Sequence, residues 1–205
     1  QFFNNPRVRI RGLRWYSSRF EPDLINGDKT AEYFNRRTAL REMRRYAPDA
    51  RIVLMLRNPV DRAYSAYQHY CRKFPRSRTW DWLLPKESFE ENLRAELLTS
   101  FQLGFLARGR YSVYLEDVFR LYPPERVKIV IFERFIAHPE AETAAIVEFL
   151  GGSPLRDELD YTPANVGEYG SRMDPETRRT LKEYYQPFNE ELFRILGFRI
   201  DEWGG

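Results

Sequence analysis

The segment Arg57-Asn58-Pro59-Val60-Asp61-Arg62-Ala63-Tyr64-Ser65-Ala66-Tyr67 holds the residue types and spacing in this 205-residue chain that are best suited to chemistry. Arg57 follows directly on a short apolar run, residues 50–56, that reads as a strand. Asn58 and Pro59 then read as the cap and first residue of a helix. Ser65 falls about two turns into that helix and offers a hydroxyl on the same edge. Backbone N–H groups at a helix start favour an anion, and a guanidinium with a hydroxyl adds charge-assisted bonds to its oxygens. Physics alone leaves two readings open: a phosphate-like anion site, or a structural arginine beside an ordinary cap.

Several elements must position these groups. Apolar periodicity and Gly/Pro punctuation predict helices over residues 9–20, 33–46, 59–73, 89–108 (with a break near Thr99), 111–122, 139–150 and 174–196. A second buried strand is predicted over 127–132. The first strand, a continuous apolar run, is expected to be covered on both faces. Strands separated by helices imply an α/β layer with a parallel sheet, whose ligands sit beyond the carboxyl ends of the strands. That edge carries Arg57, Asn58 and Glu133. Tyr64, Tyr67 and Tyr70 recur every third position and are read as core in preference to an adenine or sugar pocket. Arg62, off the face of Arg57 and Ser65, is read as an ion-pair partner. Nothing divides the sequence into repeats or linkers, so residues 1–205 are read as one domain.

Composition removes other classes. At 42% hydrophobic and 31% charged residues the chain is too apolar for disorder and too polar for a membrane-embedded protein. Its longest apolar runs fall far short of the roughly 20 residues that span a bilayer. Cys71 is the one cysteine, and His69 and His138 are the only histidines, so no metal-ligand spacing exists and no metal is expected. Basic residues number 33, of which 28 are arginines, against 30 acids. Arginine forks suit phosphate, sulfate or carboxylate, but the net charge of +3 is modest.

The segment 57–67 resembles the sulfotransferase signature Arg-x-Pro-x-x-Arg-x-x-Ser-x-Tyr, and matches it at every fixed position. Gln1-Phe2-Phe3, Gly12-x-x-Trp15-Tyr16 and the run Gly27-Asp28-Lys29-Thr30-Ala31-Glu32-Tyr33-Phe34 are similar to blocks of the heparan sulfate sulfotransferases and their bacterial relatives. Pro187-Phe188-Asn189, Leu196-Gly197 and Trp203 resemble that branch's closing helix. The resemblance implies a P-loop-NTPase-like parallel sheet flanked by helices and transfer of a sulfuryl group from 3′-phosphoadenosine 5′-phosphosulfate (PAPS) to a hydroxyl or amine of a glycan or small molecule. It carries Arg57 and Ser65 onto the 3′-phosphate of PAPS. Lys29 matches the lysine of a Gly-Glu-Lys-Thr-Pro block near the reacting centre, with Asp28 in place of Glu and Ala31 in place of Pro. Gly170, Ser171 and Arg172 resemble a loop covering the cosubstrate, which in the family reads Lys-Gly-Arg.

The same resemblance exposes a gap. The family's first strand and its 5′-phosphosulfate loop have no counterpart here, and the Glu proposed as general base would fall before Gln1, which itself replaces a His. The expectation is an N-terminally truncated domain that keeps the 3′-phosphate half of the site. Acceptor choice is assigned to residues 72–82, with Trp80 and Trp82, and to 155–169. Two alternatives stand beside this reading: a P-loop-type phosphotransferase, and an arginine-rich polyanion-binding module. Nucleic acid is not expected as a partner, no membrane segment is read, and a bacterial cytoplasmic setting is preferred to the lumenal domain of a Golgi protein.

Overall fold

A computed structural model of the chain describes residues 2–73, 88–98, 104–154, 159–162 and 172–204. These fold into two compact units. The first comprises residues 1–55 and 113–159, the second residues 56–112 and 160–205.

In the first unit, α1 (Pro6–Arg9) starts on Asn5, whose side chain accepts from Arg7 N at 3.0 Å. The single helix expected over 9–20 is instead two: α1 ends, Gly12 adopts φ +80°, and α2 (Gly12–Ser17) follows. A left-handed residue breaks the helical ladder, and glycine takes that conformation at no steric cost. Next, α3 (Arg37–Tyr46) begins later than expected, because residues 31–33 form a 3₁₀ turn. It stops short of Pro48, as the restriction on residues before proline requires.

Strands β1 (Ile52–Leu56) and β2 (Val127–Ile131) pair into a two-stranded parallel sheet, the core of the expected α/β arrangement. One expectation for β1 fails. Ile52 and Leu56 are buried, whereas Val53 and Met55 are 37% and 47% exposed. The pleat sends alternate side chains to opposite faces, and an apolar run does not reveal how many layers will cover it. The second strand is also shorter than expected. It ends at Ile131 and passes straight into α7 (Phe132–Ala137), so Glu133 lies in the first turn of a helix. No turn residue marks that junction in the sequence. The following α8 (Pro139–Leu150) ends on Gly151 at φ +80°, and Arg51 Nη1 donates to the Phe149 carbonyl at 2.7 Å.

In the second unit, α4 (Pro59–Lys73), α5 (Phe89–Leu98) and α9 (Pro175–Leu196) surround one apolar cluster. Each begins on a side-chain cap: Asn58 Oδ1 accepts from Val60 N (3.0 Å), Ser88 Oγ from Glu91 N (3.1 Å), and Asp174 Oδ2 from Thr177 N (2.9 Å). Val60, Ala63, Tyr64 and Tyr67 of α4 are buried in the cluster, and Tyr70 packs against it. The core reading of the tyrosine stripe therefore holds. Between the units the chain runs through α6 (Tyr111–Leu121), whose first two residues belong to the second unit.

Tyr185 of α9 is fully buried and donates to the Leu106 carbonyl at 3.1 Å. Gly109 lies against it so closely that an added Cβ would stand 2.8 Å from the ring and the hydroxyl oxygen. Gly109→Ala should therefore cost about 1–3 kcal/mol through overpacking, read as a lower urea or thermal midpoint. An unchanged midpoint would mean that Tyr185 moves aside freely.

Candidate functional site

The turn from β1 into α4 sets the motif of residues 57–67. Arg57 is half-buried, and its backbone carbonyl accepts from Tyr111 Oη at 2.9 Å. Asn58 caps α4 with its side chain and takes the Arg62 N–H on its carbonyl at 2.8 Å. The chain is thus helical from Pro59 onward, and the positive end of the α4 dipole lies immediately beyond Arg57. Ser65 is half-buried and lies on α4 away from the face that enters the core.

Arg62 departs from its expected role. No carboxylate pairs with it among the described residues. Its Nη2 donates to the Phe105 carbonyl, and its Nε is buried without a partner there. The reason is local: Glu96 Oε1 accepts from Leu106 N (3.0 Å) and Ala107 N (2.9 Å), fixing a turn that presents the carbonyl to the guanidinium. The acid of the motif, Asp61, pairs instead with Arg178 of α9 at 2.7 Å.

Arg172 is exposed, and its neighbour Met173 is buried in the same cluster as Val60, Tyr64 and Tyr67. Arg172 is therefore anchored beside the helix that carries Ser65. Gly170 and Ser171 lie outside the described residues, as do Trp80, Trp82 and most of 155–169. Arg57, Ser65 and Arg172 belong to the second unit, and Lys29 belongs to the first.

Lys29 is exposed on an irregular segment and lines an open pocket of about 330 Å³. Phe2, Trp15, Tyr16 and Phe20 supply aromatic walls, and Arg19 and Asn26 add polar groups. The segment is held by the residue before the lysine. Asp28 Oδ2 accepts from Tyr16 Oη (3.0 Å) and Tyr33 Oη (2.8 Å), and its Oδ1 accepts from Thr30 Oγ1 (2.7 Å). The Tyr33 hydroxyl in turn accepts from Phe3 N at 3.2 Å, which joins the network to the aromatic cluster of Phe2, Phe3 and Tyr33. Partial burial acts to raise the Asp28 pKa, but the bonds from Thr30, Tyr33 and Tyr16 outweigh it and hold the carboxyl below its ordinary 3.8. Burial, followed by the Asp28 bond, pushes the Tyr16 phenol well above its ordinary value.

The family model described as sulfotransferase domain matches residues 1–166. The chain belongs to this family. Among similar proteins, the human bifunctional heparan sulfate N-deacetylase/N-sulfotransferase 2 is 28% identical across 99% of this chain and 26% of its own length. Human heparan sulfate glucosamine 3-O-sulfotransferase 6 is 27% identical across 93% of this chain and 61% of its own length. This sulfotransferase domain thus spans between a quarter and about three fifths of those relatives. A crystal structure of a sulfotransferase from Alicyclobacillus acidocaldarius superposes with a TM-score of 0.75 at 24% identity, covering 98% of this chain and 79% of that one, and establishes the fold.

Two features of the sulfotransferase domain were not foreseen from sequence. Asp28 was visible as a departure from the family's Glu, but its three hydroxyl donors come from positions 16, 30 and 33, and nothing in their spacing announces a shared acceptor. The stacking of Arg11 and Arg19 on Trp15, at 4.8 and 5.9 Å from the ring centroid, was likewise silent. Because the Asp28 carboxyl is held below 3.8, the stability it contributes is present above that value and lost as pH falls through the folded pKa. Asp28→Asn should therefore lower the melting temperature near neutrality, and the gap from the parent should close under acid conditions. A gap that is constant with pH would show that charge at position 28 is unimportant.

Proposed function

We propose that the chain transfers a sulfuryl group from PAPS to a hydroxyl or amine of a glycan acceptor. The observation that carries this is the coincidence, in a sulfotransferase-family chain, of Arg57 at the end of β1, an Asn58-capped helix start and Ser65 on the open side of α4. In this reading Arg57, at the positive N-terminal end of α4, takes the 3′-phosphate of PAPS, and Ser65 adds a hydroxyl bond to it. Gly170, Ser171 and Arg172 are assigned to binding the cosubstrate, with the burial of Met173 supporting the position of Arg172. Lys29 opposes negative charge that develops on the transferred group and on the leaving phosphate. The sulfur–oxygen bond to the 5′-phosphate breaks, a new bond forms from sulfur to the acceptor oxygen or nitrogen, and the acceptor's proton leaves to a base.

The glycan class is supported by the relatives named above, which are heparan sulfate sulfotransferases. A cytoplasmic setting is the companion proposal, supported by the lone cysteine. No helix among the described residues is long and apolar enough to cross a membrane.

Calorimetric titration with 3′-phosphoadenosine 5′-phosphate tests the cosubstrate site. Arg57→Ala should weaken binding about 10- to 100-fold, the effect of deleting a charged hydrogen-bond partner, and Ser65→Ala about 2- to 10-fold. Lys29→Ala should leave that affinity unchanged and lower kcat about 100-fold or more with PAPS and a glycan acceptor. Absence of nucleotide binding by the parent protein, with DNA or heparin bound instead, would sink the proposal.

A further inference from the structure

Positive charge is unevenly spread along the chain. Residues 1–46 hold 11 basic and 5 acidic side chains, a net +6, whereas the full chain carries only +3. The excess is greatest in residues 5–20, which contain Arg7, Arg9, Arg11, Arg14 and Arg19 and no acid. Arg9 is satisfied by Glu42 of α3. Arg11 and Arg19 meet no carboxylate among the described residues. Both instead lie over the indole of Trp15, at 4.8 and 5.9 Å from its centroid, which brings the two guanidiniums within about 11 Å of each other.

An indole face attracts a guanidinium but accepts none of its five N–H bonds, so stacking orders these cations without neutralising them. Two like charges gathered in this way repel, and an anion bound near them relieves the repulsion. Trp15 and Arg19 also line the Lys29 pocket, whose Phe2 and Phe20 walls suit the apolar face of a ring. Its volume of about 330 Å³ accommodates a ring-sized unit and not an extended chain. The one carboxylate on the lining, Asp28, already accepts from Tyr16, Tyr33 and Thr30.

We propose that Arg11 and Arg19, ordered on Trp15, form an acceptor subsite that binds a carboxylate or sulfate substituent of a saccharide whose ring enters the Lys29 pocket. The inference rests on the sulfotransferase reading, because the acceptor must bring its hydroxyl or amine to Lys29. It assigns specificity to the segment between α1 and Phe20, in place of the segments 72–82 and 155–169 expected from sequence. A saccharide is favoured over nucleic acid because the aromatic walls, Arg19 and Lys29 line one pocket of ring size, with the Arg11 guanidinium stacked on its Trp15 wall.

The test is calorimetry on the full chain, saturated with 3′-phosphoadenosine 5′-phosphate, using a uronate-containing oligosaccharide and its carboxyl-reduced neutral counterpart as probes. The parent should bind the acidic probe at least 10-fold more tightly than the neutral one. Arg11→Gln/Arg19→Gln should abolish that preference while leaving nucleotide affinity and the melting temperature unchanged, since both side chains are exposed. Arg179→Gln, on α9 and outside the pocket, should change nothing. Equal binding of the two probes by the parent, or an undiminished preference in the double variant, overturns the subsite. Single-stranded DNA binding as tightly as the acidic probe, with the same loss in the double variant, overturns it in favour of a general polyanion surface. Nucleotide binding is read separately in each titration, so a failure of the cosubstrate site is distinguished from a failure of this one.

Discussion

The turn by which β1 becomes α4 constrains everything built on the second unit. A strand must end and a helix begin within two residues, and two hydrogen bonds and a proline enforce this. Asn58 satisfies the Val60 N–H, Pro59 supplies a backbone angle already suited to a first turn, and the Tyr111 hydroxyl holds the Arg57 carbonyl. Once the turn is set, helical geometry apportions the rest of the motif. Val60, Ala63, Tyr64 and Tyr67 go to the core, and Ser65 goes to the open side. The outward-facing and core-facing sides of one eleven-residue segment therefore cannot be altered independently. A change that rotates α4 to repack its tyrosines also moves the serine.

In the first unit the corresponding constraint is electrostatic. Residues 25–30 form no helix or strand, so the backbone has no ladder to hold it. A single carboxylate takes over that task. Asp28 gathers two phenols and one hydroxyl, and the phenols belong to side chains that already pack against Phe2 and Phe3. Aromatic packing thus fixes the donors, the donors fix the acid, and the acid fixes the backbone next to Lys29. This is an economical way to hold an irregular segment, because one ionised acceptor satisfies several donors with charge-assisted bonds.

The arginines divide by environment and not by type. Arg178 and Arg199 pair with carboxylates, Arg62 and Arg51 bond backbone carbonyls, and Arg11 and Arg19 lie on an indole. Composition treats these as equivalent charges and yields a nearly balanced chain. Position separates them into cations already matched inside the protein and cations whose donors remain available to something outside it.

Much of the fold was legible in local sequence because its causes are local. The caps at Asn58 and Asp174, the glycine stops at Gly151 and Gly197 and the apolar run of β1 act within a few residues, and the elements they delimit stand where they were expected. The signature of residues 57–67 was legible for the same reason: strand end, cap and hydroxyl are fixed by spacing along one turn and one helix. Tertiary structure alone decided what depends on partners distant in the chain. The exposed face of β1, the Arg62 bond to the carbonyl of residue 105, the convergence of positions 16, 30 and 33 on Asp28, and the gathering of Arg11 and Arg19 on one ring all follow from which surfaces meet. Periodicity and capping determine how a segment is shaped and which side of it is apolar; only packing determines what that side, or a long flexible arginine, finds opposite it.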